Sequence, residues 1–180
     1  MRSGTQNEAS EQQVRFLSIF EQYQPALWRL VNSYEATASG REDLLQEIAL
    51  GLWQALPRFR GDSSERTWLY RIAHNIAISA LDSRRRRERQ ELPMPDSIEK
   101  PSALPHPDGA LVLDDQRRLM LAAIQELQPV DKQLILLHLE GLSYLEIEEI
   151  SGLSESAIAS RLSRIRDRLT EVIQKKEVRK

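Results

Sequence analysis

The stretch PVDKQLILLHLEGLSYLEIEEISGLSESAIASRLSRIRDRL, residues 129–169, decides the fold. Its punctuation is helical throughout. Gly141 closes a first helix, because a glycine just past the last helical residue can take the left-handed conformation that ends one. Ser143 and Glu146 form an S-x-x-E capping box that opens a second helix. The turn SGLS, residues 151–154, leads into a third, with Ser154 placed to cap it and Glu155 in its first turn. A short helix, a tight Gly-containing turn and a longer helix make a helix-turn-helix.

The third helix shows what such a unit could touch. Ile158, Leu162, Ile165 and Leu169 recur at three- and four-residue spacing and must face a core. Ser156, Ala159, Ser160 and Ser163 are small and point outward, which allows close approach to the floor of a groove. Arg161, Arg164, Arg166 and Arg168 can reach phosphates or a guanine edge. An ordinary helical hairpin can carry the same pattern, so the third helix by itself leaves both readings open.

Working outward, five of the eight prolines fall in LPMPDSIEKPSALPHP, residues 92–107. That density excludes a helix or an inner strand and marks an extended linker. The chain is therefore read as all-α, with two small helical domains joined by a Pro-rich linker: residues 1–90, a linker at 91–110, and the helix-turn-helix domain at 111–180. Nine of the ten aromatics precede residue 71, Tyr144 being the exception, so the two units are expected to have different cores.

In the first unit, EDLLQEIALGLWQALPRF (residues 42–59) places Leu45, Ile48, Ala49, Leu52 and Leu56 on one stripe, and Pro57 stops the helix. Its other face holds Asp43, Glu47, Leu50 and Gln54, with Gln46 at the margin. On pattern alone that is an ordinary solvent face. A further helix is expected from about Glu65 to Arg87, with a stripe of Leu69, Ile72, Ala73, Ile76 and Ala80. Trp68, Arg71, Asn75, Ser79 and Asp82 share a different, polar face. Dipole compensation at its C-terminal end needs one or two cations rather than the four of Arg84 to Arg87.

Charge is segregated along the chain although its net value is only −2. Residues 58–90 carry +5 and residues 151–180 carry +4, with an acidic −8 over residues 91–150 between them. Two basic patches, each ending a helical unit, suggest two contacts with a polyanion. There is no cysteine, so disulfides and thiolate metal sites are excluded, and His74, His106 and His138 are too scattered to make a metal or catalytic cluster. No apolar run approaches the roughly 20 residues that span a bilayer, and the N-terminus lacks a signal-type apolar core. The expectation is a cytoplasmic, non-enzymatic protein with no cofactor, no metal and no membrane insertion.

With both units in view, the chain resembles the extracytoplasmic-function (ECF) group of sigma-70 family sigma factors, the promoter-specificity subunits of bacterial RNA polymerase. The matching words are EDLLQEIALGLWQALPRFRG, TWLYRIAHNIAI, LSYLEIEEISGLS and AIASRLSRIRDRL, in order and separated by a variable linker. The resemblance implies that residues 1–90 form a sigma region 2-like domain and residues 111–180 a region 4-like domain. It assigns core-polymerase binding to Asp43, Gln46, Glu47 and Leu50, against the solvent-face reading. It assigns capture of the unstacked minus-ten strand to Arg60, Gly61, Asp62, Ser63, Trp68, Arg71, Asn75 and Ser79, with Arg84, Arg85, Arg86 and Arg87 holding the backbone. It assigns the duplex minus-thirty-five element to Ser156, Ala159, Ser160, Arg161, Ser163, Arg164, Arg166 and Arg168. The implied partners are core RNA polymerase, promoter DNA and an anti-sigma factor. Ala159 stands where the family usually has a basic residue, and Ser79 where it often has an acidic one.

Two other functions compete with this one. A helix-turn-helix regulator with an N-terminal sensing or dimerisation domain would have no need of the aromatic and arginine face at residues 58–87. An all-helical enzyme using His74 or His138 as a base lacks an acid or nucleophile at readable spacing. His74 is more simply an interhelical packing residue.

Overall fold

The structure, a computed structural model, describes residues 3–90 and 111–177. The expected linker at residues 91–110 therefore lies outside the described residues. The first unit contains α1 (Ser3–Tyr34), α2 (Ala38–Ala55) with a short 3-10 turn at Leu56–Arg58, and α3 (Glu65–Gln90). The second contains α4 (Leu111–Gln125), α5 (Pro129–Leu139), α6 (Tyr144–Ser151) and α7 (Glu155–Glu177). Among the described residues there is no strand.

The helix ends follow from local chemistry. Thr37 caps α2 by accepting from the Gly40 amide at 3.2 Å. Ser64 caps α3 by accepting from the Thr67 amide at 3.0 Å. Around α6 the expected capping box is present in both directions: Ser143 Oγ accepts from the Glu146 amide, and the Glu146 carboxylate accepts from the Ser143 amide at 2.8 Å. Gly141 and Gly152 end α5 and α6 with φ of 76° and 72°, a conformation that costs glycine little and other residues much more.

The α7 stripe is buried as the periodicity predicts, at Ile158, Leu162, Ile165 and Leu169. Two other stripes are rotated from their expected register. On α2 the buried residues are Arg41, Leu44, Ile48 and Leu52, whereas Leu45 and Ala49 are half-buried, because the helix lies between α1 and α3. On α3 the buried set is Leu69, Tyr70, Ala73, His74 and Ala77, while Ile72, Ile76 and Ala80 are half-buried. The reason is that α3 is covered on two sides, by α1 and α2 on one and by α5 and α6 on the other. The two cores are consequently not separate. One cluster of buried apolar residues runs from Leu27, Val31 and Leu69 through to Leu134, Ile147 and Leu162.

Candidate nucleic-acid interface

The polar face of α3 forms a narrow strip between the flank that packs on α2 and the flank that packs on α6. Asn75 and Ser79 are exposed along it, and Trp68 and Arg71 are half-buried at its N-terminal end. Trp68 lies beside Phe59, with ring centroids 4.8 Å apart and planes tilted by 31°. The Arg15 guanidinium from α1 sits 5.3 Å from the other ring of this pair, that of Phe59. The preceding loop reaches this strip through Gly61, whose φ of 80° demands glycine and around which a side chain would find open space. Arg60 and Asp62 in the loop form an exposed ion pair at 3.4 Å, and Ser63 is half-buried. Loop, aromatic pair and strip are thus contiguous.

The four consecutive arginines are not equivalent. They fan around α3 because successive helical residues are about 100° apart. Arg84 is ion-paired with Glu35, a fully buried carboxylate on the segment joining α1 to α2. The Glu35 carboxylate also accepts from the amides of Ala36 and Thr37 at 2.8 and 3.0 Å. Arg87 lines a groove of about 480 Å³ with Arg84 and the acidic face of α2. Arg85 acts electrostatically on Lys132 of the second unit. Arg86 is exposed and shares the angular position of Trp68, so it alone of the four extends the polar strip. Arg71, on that strip, donates to Glu149 of α6 at 2.6 Å.

On α2, Asp43, Gln46, Glu47 and Leu50 are all exposed and line the same groove, Leu50 with more than half its surface in water. The helix is turned so that this face points away from buried Arg41, Leu44 and Ile48. The Arg41 guanidinium fixes that rotation by donating to the carbonyls of Ala36 and Thr37 and to Asn32 Oδ1, at 2.6, 3.0 and 3.1 Å.

On α7, Ser156, Ala159, Ser160 and Ser163 form one exposed face, flanked by exposed Arg164 and Arg166. Arg166 donates to Nε2 of His138 at 3.2 Å. Arg161 is half-buried and donates to Asp131 of α5 at 2.9 Å. Arg168 is exposed a turn further on. Arg161 therefore braces α7 against α5, while the small-residue face and the other three arginines remain at the surface.

Two buried titratable groups sit where the units meet. His74 is completely buried, with Nδ1 3.1 Å from the Tyr34 hydroxyl, and burial pulls its pKa down to about 3, so it is neutral. Lys132 is pulled down to about 8, first by burial and then by the charge of Arg85. Its ammonium lies 5.2 Å over the Tyr34 ring and donates to the Gln125 carbonyl at 3.1 Å. Among the described residues no group of three or more His, Cys, Asp or Glu side chains is placed to hold a metal ion, and no helix is long and apolar enough to cross a membrane.

Comparison with known proteins gives this geometry a family. Residues 19–87 match the model of sigma-70 region 2, and residues 117–169 match that of sigma-70 region 4. The ECF RNA polymerase sigma-E factor of Escherichia coli K12 is 30% identical over 169 residues, an alignment covering 90% of this chain and 88% of that protein. The chain belongs to the ECF sigma factors. The ECF sigma factor SigG of Mycobacterium tuberculosis is 34% identical over 91% of this chain, and the chain spans about half of its length. Among solved structures, the sigma factor RpoE of Bartonella quintana, in complex with the anti-sigma factor NepR, superposes with a TM-score of 0.70 at 28% identity. That alignment covers 89% of this chain and 97% of RpoE. CnrH, in complex with the cytosolic domain of CnrY, shares the fold with a TM-score of 0.62 at 21% identity.

Every candidate residue named from the sequence lies inside one of the two matched sigma regions. Sequence reasoning missed residues that connect those regions, Arg29, Arg66, Glu140 and Glu149, and it missed Glu35, which pairs with Arg84 within the first region. No periodicity marks them, since each looks like an ordinary surface charge until its partner is known. Glu146 was legible as a cap but not as the partner of Arg66.

Proposed function

We propose that this ECF sigma factor binds core RNA polymerase and directs it to promoters, reading the minus-ten element as a melted strand and the minus-thirty-five element as duplex. The observation that carries the reading is the presence of two differently built surfaces on one chain. The α3 strip offers an aromatic pair, an exposed amide at Asn75 and a glycine loop. These suit an unstacked base, which needs a stacking partner and groups for its edge. The α7 face offers small side chains flanked by arginines, which suits a major groove. A conventional repressor needs only the second surface.

The polymerase contact is assigned to the α2 face at Asp43, Gln46, Glu47 and Leu50, where an apolar side chain is held in water among polar ones. A restraining anti-sigma partner belongs to the same proposal, since RpoE is solved with the anti-sigma factor NepR. The chain would act in the cytoplasm and contribute no catalytic step of its own. The test is co-purification with core polymerase. Replacing Glu47 and Leu50 together with Arg should abolish it while leaving the melting temperature nearly unchanged, because both side chains are exposed. Retained binding by the folded double variant would remove the assignment.

A further inference from the structure

The groove between α2 and the C-terminal half of α3 has walls of opposite charge. Asp43 and Glu47 stand on the α2 wall with exposed Leu50, and Arg84 and Arg87 stand on the α3 wall with Leu81. The floor is closed by Glu35, a fully buried carboxylate that accepts from the Ala36 and Thr37 amides at 2.8 and 3.0 Å and pairs with Arg84. Arg84 is thereby committed to the fold. Arg87 is exposed at the rim of the same groove. Successive helical residues are about 100° apart, so Leu81 and Arg84 lie on the opposite side of α3 from Trp68, Asn75 and Arg86. Arg87 is turned about 100° away from Arg86, toward the groove.

We infer that Arg87 belongs to the polymerase contact and not to the promoter strand. The docked polymerase segment spans the groove, with an acidic side chain against Arg87 and a basic one against Asp43 and Glu47. This rests on the reading of the α2 face as the polymerase contact, and it extends that contact across to α3. Charge decides against nucleic acid as the occupant, because Glu35, Asp43 and Glu47 all line the groove and repel a phosphate backbone. A protein segment can offer both signs. The groove holds about 480 Å³ and is continuous with Leu50, so an apolar side chain of the partner fits between Leu50 and Leu81. Since groove and strip lie on opposite sides of α3, polymerase and strand can be held at the same time. The arginine run is thus divided, with Arg86 on the strand side and Arg87 on the polymerase side.

The experiment uses the full chain and makes two measurements. The first is affinity for core RNA polymerase. The second is the half-life of the complex on a promoter template pre-melted over the minus-ten element, with polymerase saturating. Arg87→Glu should weaken polymerase binding by about tenfold or more, yet leave the half-life within about twofold of wild type. Arg86→Glu, the same charge change one residue away, should do the reverse, with a half-life shortened by about fivefold or more and polymerase affinity within about twofold. Arg87→Lys keeps the charge and should retain polymerase affinity within about threefold. Unchanged polymerase affinity in Arg87→Glu overturns the inference. So does a half-life shortened as much as in Arg86→Glu, which would return Arg87 to the strand. Leu50→Arg separates the two levels. Unchanged polymerase affinity in that variant removes the α2 reading and this extension with it. Lost affinity there, beside unchanged affinity in Arg87→Glu, overturns the extension alone.

Discussion

The two units of this molecule treat their arginines differently. In the first, Arg29, Arg66, Arg71 and Arg84 are each paired with a carboxylate that is distant in sequence. In the second, Arg161 of α7 is committed to a carboxylate, Asp131, and the small-residue face of α7 is exposed beside Arg164 and Arg168. A run such as Arg84 to Arg87 therefore says little by itself about phosphate binding. What matters is which acceptors the fold has already placed beside each guanidinium.

The contrast extends to the cores, and the predictions that probe it start with the largest effect. Leu162 of α7 is fully buried among aliphatic side chains. Leu162→Ala should cost about 2–5 kcal/mol in denaturant unfolding, since the cavity it leaves cannot fully collapse. A loss below about 1 kcal/mol would mean the α7 stripe is not core.

The first unit relies more on buried polar groups. Glu35→Ala would leave Arg84 and the amides of Ala36 and Thr37 without their acceptor. It should cost about 2–3 kcal/mol by the same measurement, because unmade buried hydrogen bonds are expensive. Gly40→Ala approaches the same site from outside, since a Cβ there would lie 2.6 Å from the Glu35 carboxyl carbon. It should destabilise less than Glu35→Ala, because the carboxylate can shift. The reverse order would show that the Glu35 pairings contribute little.

A pH series sharpens the comparison further. The folded pKa of His74 lies near 3, well below its ordinary 6.5. Below about pH 6.5 the unfolded chain therefore takes up a proton that the folded chain does not, and stability falls as pH falls toward 3. Between about pH 6 and pH 5 the histidine should remove about 1.2 kcal/mol of stability, and His74→Gln should abolish that loss whatever it does to the baseline. An unchanged loss in that variant would place the titration elsewhere. The smallest effect is expected at the exposed pair of Arg60 and Asp62. Asp62→Asn should change stability by less than about 0.5 kcal/mol.

How much of this could be read in the sequence follows the same division. The helix-turn-helix was legible almost residue by residue, because Gly141, the Ser143–Glu146 box, Gly152 and the α7 stripe are local signals that tertiary context reinforces. The exposed face at Asp43, Gln46, Glu47 and Leu50 was legible as well. On α3 the register was not, since Tyr70 is turned toward a partner 70 residues away at Glu140 and His74 toward Tyr34 of α1. Periodicity measures one helix at a time. Where one stripe serves two neighbours, the pattern averages them and neither is recovered.

The central claim is that the α3 strip and the α7 face read separate promoter elements, and it is tested most directly by run-off transcription with core polymerase on a randomised promoter library. Asn75→Ala should change the selected sequence only in the minus-ten element. Arg164→Ala should relax preference only in the minus-thirty-five element, at a cost of about 1–3 kcal/mol for the best site. Arg168→Ala should weaken all promoters alike and reduce the salt slope by about one unit. If Asn75→Ala and Arg164→Ala instead lower transcription uniformly, with the selected sequences unchanged, neither surface reads bases and the assignment fails.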